Sequence, residues 1–363
     1  MKKICLIIHS LGIGGMERVM HQLAISFSEK EDVEIHLILI GKKREIVHSL
    51  PPSINIHLPQ FEFDESSRVA STLKTMRFLR KEVKKIKPDT ILSFGEYWNN
   101  LVLLSLYGLS HPLFISDRSE PGKDLGKIHN FLRRVLYPCA TGYIAQTGEA
   151  KEICLSNGWN DNIRVIGNPV RQISTNGQEQ REKIVLTVGR LIKTKHFDQL
   201  IRMFVKIGNP DWKLVIVGGD AKKQSLSKEL DNLIHEMGAG KNVFLEGEQM
   251  DVDKYYKKSK IFAFTSSSEG FPNVIGEALS AGLPIVAYDC MAGPSDMIDN
   301  NKNGFLVPLF NEEDFKNRLE DLMHNQEKRE RFRQNAQKSI QEYCPDKIAN
   351  KFYSFITSHE SNY

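Results

Sequence analysis

The stretch Glu269-Gly270-Phe271-Pro272-Asn273-Val274-Ile275-Gly276-Glu277 places two carboxylates on either side of a predicted helix start. The apolar run Ile261–Phe264 before it leads into a serine cluster and is typical of a buried parallel strand. Pro272 suits the first helical turn, where a missing N–H costs nothing. The sequence therefore predicts a strand, a loop that holds Glu269 and a helix that holds Glu277, which is the repeating unit of open α/β sheets.

The predicted helix start has the chemistry of an anion site. It offers unpaired backbone N–H groups and a partial positive charge, which favour a diphosphate. The residues that would hold the diphosphate are Phe271, Pro272, Asn273 and Val274. The carboxylate of Glu269 suits hydrogen bonds from sugar hydroxyls, and that of Glu277 suits the two hydroxyls of a ribose. From the spacing alone, an equally good interpretation is that Glu269 is an ordinary carboxylate in a loop and that Glu277 is a solvated carboxylate on a helix.

Apolar strand-like runs alternate with helical patterns along the chain, which predicts parallel sheets covered on both faces. The first series comprises residues 4–9, 34–40, 90–93, 113–116, 143–145 and 164–167, and the second comprises residues 184–188, 214–217, 243–245, 261–264 and 285–288. The polar segment 172–183 separates the two series, and a chain of 363 residues suits two domains. We predict an α/β protein with two Rossmann-like domains, joined near residue 175, that face each other across a cleft.

The composition is that of an ordinary globular protein. Apolar residues make up 40% and the net charge is only +4, so a nucleic-acid partner is not expected. No run approaches the roughly twenty apolar residues that a membrane span needs, and the first residues do not resemble a signal peptide, so we expect a cytoplasmic location. The five cysteines, at positions 5, 139, 154, 290 and 344, lie too far apart for a disulfide framework or a zinc site.

The Glu-x7-Glu spacing at positions 269 and 277 resembles the signature of the retaining, two-Rossmann-domain (GT-B) glycosyltransferases of family 4, the glycosyl transferases group 1. Gly189-Arg190-Leu191 followed by Lys195 resembles the family's Gly-Arg…Lys element, whose two cations bind the donor diphosphate. Val217-Gly218-Gly219-Asp220 is similar to its second glycine turn, and Gly14-Gly15-Met16-Glu17 to the glycine loop near the donor. The resemblance runs from the first strand to about residue 310.

The resemblance implies roles for individual residues. The implied catalytic residues are Glu269, Arg190, Lys195 and Arg118, and the implied donor-binding residues are Gly15, Gly189, Gly218, Leu245, Phe271, Pro272, Asn273, Val274 and Glu277. Leu245 lies where family members hold the base through backbone groups, which favours uridine without excluding guanosine. Because two cations can neutralise the departing diphosphate, no metal ion and no cofactor are expected.

The resemblance also implies the domain boundaries. Residues 1–170 would form an acceptor-side domain and residues 171–345 a nucleotide-sugar-binding domain. A helix-rich stretch at 312–341 precedes the amphipathic run 348–356. In the family such a last helix crosses back onto the N-terminal domain, so we expect the same of residues 346–363.

Arg118, which follows the strand at 113–116, departs from the family pattern. Many members carry a histidine there that contacts the transferred sugar, whereas an arginine has no proton to take and cannot act as a base. Either Arg118 binds a sugar hydroxyl or phosphate instead, or Asp117 or Glu120 is the working group. In retaining chemistry the departing phosphate oxygen can itself take the acceptor proton, which makes a protein base dispensable.

The loop Gly12-Ile13-Gly14-Gly15 also invites comparison with a dinucleotide-binding fingerprint. Gly-x-Gly-x-x-Gly would need a third glycine where Glu17 stands, and no acidic residue ends the second strand to bind a ribose. A nicotinamide or flavin oxidoreductase is therefore disfavoured.

Residues 68–87 contain eight lysines and arginines against Glu82 alone, with apolar residues at helical spacing. The apolar residues are Val69, Leu73, Met76, Leu79, Val83 and Ile86. Against an anionic bilayer each cation would contribute about 1 kcal/mol. The equally good alternative to membrane binding is that the apolar residues pack on the sheet and that the lysines are only solvated.

These features predict a retaining glycosyltransferase that moves a hexose or N-acetylhexosamine from a UDP-sugar to a glycan acceptor, carried on a polyprenyl diphosphate, in bacterial surface polysaccharide or glycan assembly. Peripheral association with the inner face of the plasma membrane, through residues 68–87, belongs to this prediction. A catalytically silent nucleotide-sugar-binding subunit of the same fold is the alternative, which the departure at Arg118 keeps open.

Overall fold

A computed structural model describes residues 1–12, 14–174, 180–221 and 224–358 of the chain. It divides into two compact units, one formed by Met1–Pro169 with the segment that begins at Pro345, and the other by Val170–Cys344. The predicted junction near residue 175 lies outside the described residues. Among the described residues, no helix has both the length and the apolar character needed to cross a membrane.

The N-terminal unit is built on a parallel sheet of seven strands in the order β3-β2-β1-β4-β5-β6-β7. The strands are β1 (Lys2–Ile8), β2 (Val33–Leu39), β3 (Asn55–His57), β4 (Thr90–Phe94), β5 (Leu113–Ser116), β6 (Gly142–Ala145) and β7 (Ile163–Val165). Its first five helices are α1 (Gly15–Ser28), α2 (Arg68–Ile86), α3 (Glu96–Leu106), α4 (Lys127–Leu136) and α5 (Gly148–Ser156). Helices α2, α3, α4 and α5 contribute to one shared hydrophobic core, and α3 packs against both α2 and α4.

The C-terminal unit has a parallel sheet of six strands in the order β10-β9-β8-β11-β12-β13. The strands are β8 (Ile184–Val188), β9 (Lys213–Val217), β10 (Val243–Gly247), β11 (Ile261–Phe264), β12 (Ile285–Asp289) and β13 (Gly304–Pro308). The helices are α6 (Phe197–Ile207), α7 (Leu226–Glu236), α8 (Asp253–Lys258), α9 (Asn273–Ser280), α10 (Pro294–Met297), α11 (Glu312–His324) and α12 (Gln326–Ser339). Two hydrophobic cores contain residues of this sheet, so every residue of β11 is buried.

The last helix, α13 (Pro345–Thr357), belongs to the N-terminal unit, where it packs against α1. Three aromatic contacts hold it there. Phe27 meets Tyr353 with 5.7 Å between ring centroids, Phe94 meets Phe352 at 6.0 Å, and Phe114 meets Phe355 at 5.2 Å. Aromatic pairs at these separations add to the free energy gained by burial of the rings.

The predicted fold class, an α/β protein with two parallel-sheet Rossmann-like domains, is confirmed. Two strands were not predicted, because β3 has three residues and is largely exposed, and because β13 begins at a glycine and ends at a proline. The helix-rich stretch predicted at 312–341 contains two helices, α11 and α12, and the side chain of Asn325 accepts a hydrogen bond from the Lys328 amide (2.9 Å) at the start of the second.

The apolar face predicted for residues 68–87 is wrong in its first turns. Val69 is 76% exposed and Leu73 is 47% exposed, whereas Ser71 and Thr75 are buried. The buried row follows the spacing of four residues from Ser71 through Thr75, and Leu79, Val83 and Ile86 continue it. The Thr75 hydroxyl is satisfied by the carbonyl of Ser71 at 2.9 Å, so this polar row can pack inward.

Candidate functional site

Two glycine turns meet at the carboxyl edge of the C-terminal sheet, which is the edge where open α/β sheets bind ligands. Gly189 follows β8 and Gly218 follows β9. The Gly189 amide donates to the Val217 carbonyl (2.9 Å), and the Leu191 amide donates to the Gly219 carbonyl (2.9 Å). Gly218 has a φ of +154°, and a Cβ placed on it would lie 1.8 Å from the Gly189 carbonyl oxygen. Only glycine fits there, so this turn sets how closely the two loops approach.

Lys195 and Glu269 form an ion pair at this edge. The ammonium of Lys195 contacts the carboxylate of Glu269, and the side chains are 16% and 15% exposed. The ammonium also lies 5.7 Å from the centroid of the Phe264 ring. Both charges are therefore largely withdrawn from water yet still reachable by a ligand, which strengthens their interaction with any charged group that binds.

The serine-rich segment after β11 fixes the backbone around Lys195. The Thr265 hydroxyl donates to the Lys195 carbonyl (2.7 Å), and the Ser267 amide donates to the Thr194 carbonyl (2.8 Å). The His196 ring and the Ser267 hydroxyl are hydrogen-bonded at 2.8 Å. These contacts hold the loop after β8 against the loop after β11. Sequence reasoning treated the serines only as the end of a strand.

Arg190 is placed differently from Lys195. It directly follows Gly189 but is exposed, and it does not share the Lys195–Glu269 pair. An exposed arginine next to a glycine turn keeps its guanidinium available for a phosphate.

Glu277 lies on α9 and is 5% exposed. The Tyr256 hydroxyl donates to its Oε2 at 3.1 Å, and the Nε of Arg171 lies 3.7 Å from its Oε1. Arg171 also pairs with Asp253, the second aspartate of the chain's Asp-x-Asp pattern Asp251-Val252-Asp253. A solvated helix face is therefore excluded for Glu277. Neither Tyr256 nor Arg171 was predicted, because a lone tyrosine and a lone arginine carry no motif.

The start of α9 differs slightly from the prediction. Pro272 precedes the helix as its N-cap residue and is not part of the first turn. The Asn273 amide already donates to the Phe271 carbonyl at 3.0 Å, so this N–H is used within the turn. Gly293 has a φ of +101°, and a Cβ there would lie 2.1 Å from the Cδ of Pro272. The loop before α10 thus fixes Pro272 from outside the motif.

Leu245 lies in β10, next to the second glycine turn. The Gly218 amide donates to the Gly247 carbonyl at 2.8 Å, and the Tyr255 hydroxyl donates to the Glu246 carboxylate at 2.7 Å. Gly247 has a φ of +66°, which turns the chain at the end of the strand. The structure therefore brings Gly189, Gly218 and Leu245 to neighbouring strands of one sheet edge.

Arg118 is held within the N-terminal unit. Its guanidinium lies 4.4 Å from the Phe94 ring centroid and donates to the Ser116 hydroxyl (3.3 Å) and to the side-chain oxygen of Asn168. Burial lowers the pKa of Arg118 to about 9, and the charges of Tyr143 and Glu96 oppose this shift. These contacts tie the ends of β5 and β7 together.

Asp117 lies at the centre of a polar network. Its Oδ1 accepts hydrogen bonds from the Tyr137 hydroxyl (2.6 Å) and the Asn99 amide (2.9 Å), and Arg133 lies 3.5 Å from its Oδ2. Burial raises the pKa of Asp117 to about 6, although the charge of Arg133 lowers it. Glu120, the other alternative from the sequence, is partly exposed in the loop that follows.

His9, Glu17 and Trp98 form a cluster at the carboxyl edge of the N-terminal sheet that sequence reasoning missed. His9 Nε2 lies 3.1 Å from Glu17 Oε1, and the His9 ring stacks on Trp98 with 5.5 Å between centroids. Burial opposes ionisation of Glu17, but the hydrogen bond with His9, a backbone hydrogen bond and the charge of His9 together outweigh it and lower the pKa. A Cβ on Gly14 would lie 2.2 Å from Glu17 Oε2. Gly15 begins α1 directly after this contact.

The position of Glu17 also explains why the dinucleotide pattern fails. The carboxylate of Glu17 turns back over the glycine loop and pairs with His9. The third glycine of the dinucleotide-binding pattern would have no side chain there and would leave room for a pyrophosphate. The signal that could have revealed the cluster is His9 itself, the one polar interruption of an otherwise apolar first strand pattern.

Residues 171–339 match the family model of the glycosyl transferases group 1. The match covers the unit that carries the two glycine turns, the Lys195–Glu269 pair and Glu277. It agrees with the resemblance seen in the sequence and supports this family for the chain.

Curated relatives point the same way. The chain is 28% identical over 364 residues to the GalNAc-alpha-(1->4)-GalNAc-alpha-(1->3)-diNAcBac-PP-undecaprenol alpha-1,4-N-acetyl-D-galactosaminyltransferase of Campylobacter jejuni, covering 98% of each protein. It is also 28% identical to an N-acetylgalactosamine-N,N'-diacetylbacillosaminyl-diphospho-undecaprenol 4-alpha-N-acetylgalactosaminyltransferase of the same organism, covering 98% of the chain and all of that protein. These relatives support a glycosyltransferase.

The solved structure of Anabaena HepE in complex with UDP superimposes with a TM-score of 0.82, covering 99% of this chain and 100% of that one at 19% identity. At this identity the likeness establishes the fold. The chain therefore has the GT-B fold, whose two Rossmann-like domains correspond to its two sheets.

Proposed function

We propose that the protein is a retaining, metal-independent glycosyltransferase that moves a hexose or N-acetylhexosamine from a UDP-sugar to a glycan carried on a polyprenyl diphosphate, in bacterial surface polysaccharide or glycan assembly. The observation that carries the proposal is the Lys195–Glu269 pair, on the loops that follow the neighbouring strands β8 and β11. The Campylobacter relatives, whose names specify undecaprenol-linked acceptors, support the choice of acceptor.

In this proposal the C-terminal unit binds the donor. Arg190 and Lys195 would neutralise its diphosphate, and Glu269 would accept hydrogen bonds from the sugar hydroxyls while remaining paired with Lys195. Glu277 would accept the ribose hydroxyls. Its contacts with Tyr256 and Arg171 fix its direction.

The transfer breaks the bond between the anomeric carbon and the diphosphate oxygen, and it forms a bond between that carbon and the acceptor oxygen on the same face of the sugar. The bond electrons leave with the diphosphate, where Lys195 and Arg190 stabilise the growing charge. The acceptor proton passes to the departing phosphate oxygen. No protein base is then required, which agrees with an arginine at position 118.

The contacts of Arg118 favour a positioning role. A guanidinium that stacks on Phe94 and donates to Ser116 and Asn168 is committed to holding the strand ends. His9 is partly exposed and has a carboxylate partner. We therefore favour His9 as the residue of this unit that contacts the acceptor.

The proposed acceptor requires contact with a membrane, and two helices of the N-terminal unit that both pack on α3 support peripheral binding. Helix α2 presents most of the eight cations of residues 68–87. Helix α4 exposes Ile128, Phe131 and Val135 at helical spacing, together with Lys127 and Arg134. Exposed apolar side chains flanked by cations suit the surface of an anionic bilayer.

The test is thermal unfolding of the purified protein with a panel of nucleotides and nucleotide sugars in the presence of a chelator. We expect one uridine-linked sugar to raise the melting temperature selectively, because it binds only the folded state. Incubation of that donor with a polyprenyl-diphosphate glycan should then yield a product with the donor's anomeric configuration. Stabilisation by the donor without transfer to any acceptor would favour the silent subunit, and stabilisation only when a divalent metal replaces the chelator would contradict metal independence.

A further inference from the structure

A basic cavity lies at the opposite end of the C-terminal sheet from the candidate site. Its volume is about 320 Å³, and its lining includes Arg181, Lys260, Arg329, Glu330 and Arg333. Lys260 directly precedes β11, and Pro284, also in the lining, directly precedes β12. The glycine turns and Glu269 follow the carboxyl ends of the strands, whereas this cavity lies at the amino ends. A strand of five residues separates the two edges by about 15 Å.

Two of the arginines have a structural role that explains their positions. Arg181 donates to the carbonyl of Ser259 (2.8 Å), where α8 ends, and to the carbonyl of Ala281 (2.5 Å), where α9 ends. Arg329 donates to the carbonyls of Leu322 (2.5 Å) and Met323 (2.9 Å) in the last turn of α11. Cations commonly bind the unpaired carbonyls of helix ends. Both guanidiniums are thereby fixed in place.

Lys260 has no such explanation. Burial and the charges of Arg329, Lys183 and Arg181 all lower its pKa, and no carboxylate among the described residues raises it. Lys183 already has a partner in Asp211 at 2.8 Å, so its charge is largely balanced. Within the described part of the chain, Lys260 therefore faces cations without an acidic partner. Removing it should relieve repulsion unless something anionic binds there.

Arg333 adds a fourth cation. Its Nη1 lies 3.5 Å from the carboxylate of Glu330, whose side chain is 54% exposed, so the pair is weak. Arg333 also closes the cavity against Gly282, where a Cβ would lie 3.0 Å from its Cγ. Among the described residues, Lys260, Arg329 and Arg333 thus share one exposed carboxylate, and guanidiniums have planar donors that match phosphate oxygens in pairs.

We propose that this cavity binds a terminal phosphate or diphosphate group, and that it is a second anion site separate from the donor site. Its volume lies at the lower end of the range for small-molecule sites, which suits a small phosphorylated molecule. The fixed guanidiniums of Arg181 and Arg329 provide the walls, and Lys260 and Arg333 complete the binding of the anion. The proposal does not depend on the glycosyltransferase activity.

The test measures binding of orthophosphate and pyrophosphate by thermal unfolding and calorimetry, with sodium chloride at matched ionic strength as reference. The measurements use a Lys195→Ala background, which weakens anion binding at the donor loops. We expect stabilisation by at least one of the two anions in this background. Lys260→Gln should weaken that affinity by about tenfold, because a charged hydrogen bond is lost. Soluble short-chain phosphatidic acid, as a further arm, shows whether a phosphate on a lipid binds as well as a free one.

A second readout separates a binding site from a merely structural lysine. In anion-free buffer, Lys260→Gln should raise the melting temperature above that of its parent, since a cation among cations is removed. Lys241→Gln, an exposed change outside the cavity, should leave both the melting temperature and the anion response unchanged. An anion response equal in Lys260→Gln and its parent, or no response to any of the three ligands, would overturn the proposal.

Discussion

The ammonium of Lys195 contacts the carboxylate of Glu269, although 74 positions separate the two residues in the chain. Each residue follows a strand, Lys195 after β8 and Glu269 after β11, and these strands are neighbours in the sheet. The contact joins the two sequence elements that most resemble the donor site of the family. It is therefore the first place to perturb.

Replacing Lys195 with alanine should reduce kcat by about 10²-fold to 10³-fold, with a smaller effect on the KM for the donor. The reason is that a cation aimed at the departing diphosphate stabilises mainly the transition state. Steady-state kinetics with the donor identified by thermal unfolding would measure both constants. Lys193→Ala, in the same turn but exposed, is the matched control and should change neither. Equal loss in the two variants would remove Lys195 from the mechanism.

Replacing Gly218 with alanine should destabilise the protein by at least about 2 kcal/mol, because the added Cβ would collide with the backbone at Gly189 and φ is unfavourable for a side chain. Urea unfolding of the two variants would measure the loss. Gly240→Ala is the control, since nothing lies within 4 Å of its added Cβ and its φ is not positive. A Gly218→Ala variant as stable as the control would show that the two glycine turns are not locked together.

Replacing Tyr256 with phenylalanine should weaken donor binding about fivefold, by loss of the hydrogen bond that directs the Glu277 carboxylate. The ring, which packs against Phe262 with 5.9 Å between centroids, is retained, so the fold should not suffer. Tyr255→Phe removes a hydroxyl from the same helix, one that bonds Glu246 instead. Calorimetric titration with UDP should separate the two variants, and identical affinities would contradict the proposed orienting role.

Asp117 should titrate near pH 6, and the exposed Asp124 below its ordinary value. Burial raises the first pKa, whereas hydrogen bonds from the Gly126 amide and Asn130 lower the second. Folded Asp117 keeps its proton up to about pH 6, whereas the unfolded chain loses it from about pH 4 upward. The free energy of unfolding therefore falls by about 3 kcal/mol as the pH rises from about 4 to about 6. Carbon-13 NMR of the side-chain carboxyls measures both midpoints. An Asp117 midpoint below 4 would show that the network with Arg133 overcomes burial.

Replacing Phe131 with serine should weaken binding to anionic liposomes about tenfold without unfolding the protein, because an exposed side chain adds apolar contact with lipid but little to the core. Reversing the charges of Lys81, Lys84 and Lys85 should weaken the same binding, and more so at low salt. Sedimentation with liposomes measures both effects. Met250→Ser, a change of a still more exposed apolar residue in the C-terminal unit, is the control. A wild-type protein that never sediments with anionic liposomes would end the membrane proposal.

Short-range patterns were enough to predict most of the fold. The runs 113–116, 184–188 and 261–264 coincide with β5, β8 and β11, since a strand buried on both faces leaves an uninterrupted apolar record. The edge strand β3 left no such record, because it buries little and needs few apolar residues. The break at Asn325 was likewise hidden, since one capping side chain decides it.

The sequence by itself determined the two Rossmann-like sheets, the order of the apolar runs in their strands, the loops that carry Gly189, Lys195 and Glu269, and the helix that carries Glu277. These follow from periodicity and local turn chemistry, which act over a few residues. Only the tertiary structure decided which distant side chains meet: Lys195 with Glu269, Tyr256 with Glu277, His9 with Glu17 and Trp98, and the cations around Lys260. Such contacts depend on strand neighbourhood and helix packing, and residues far apart in the chain leave no shared local signal of them.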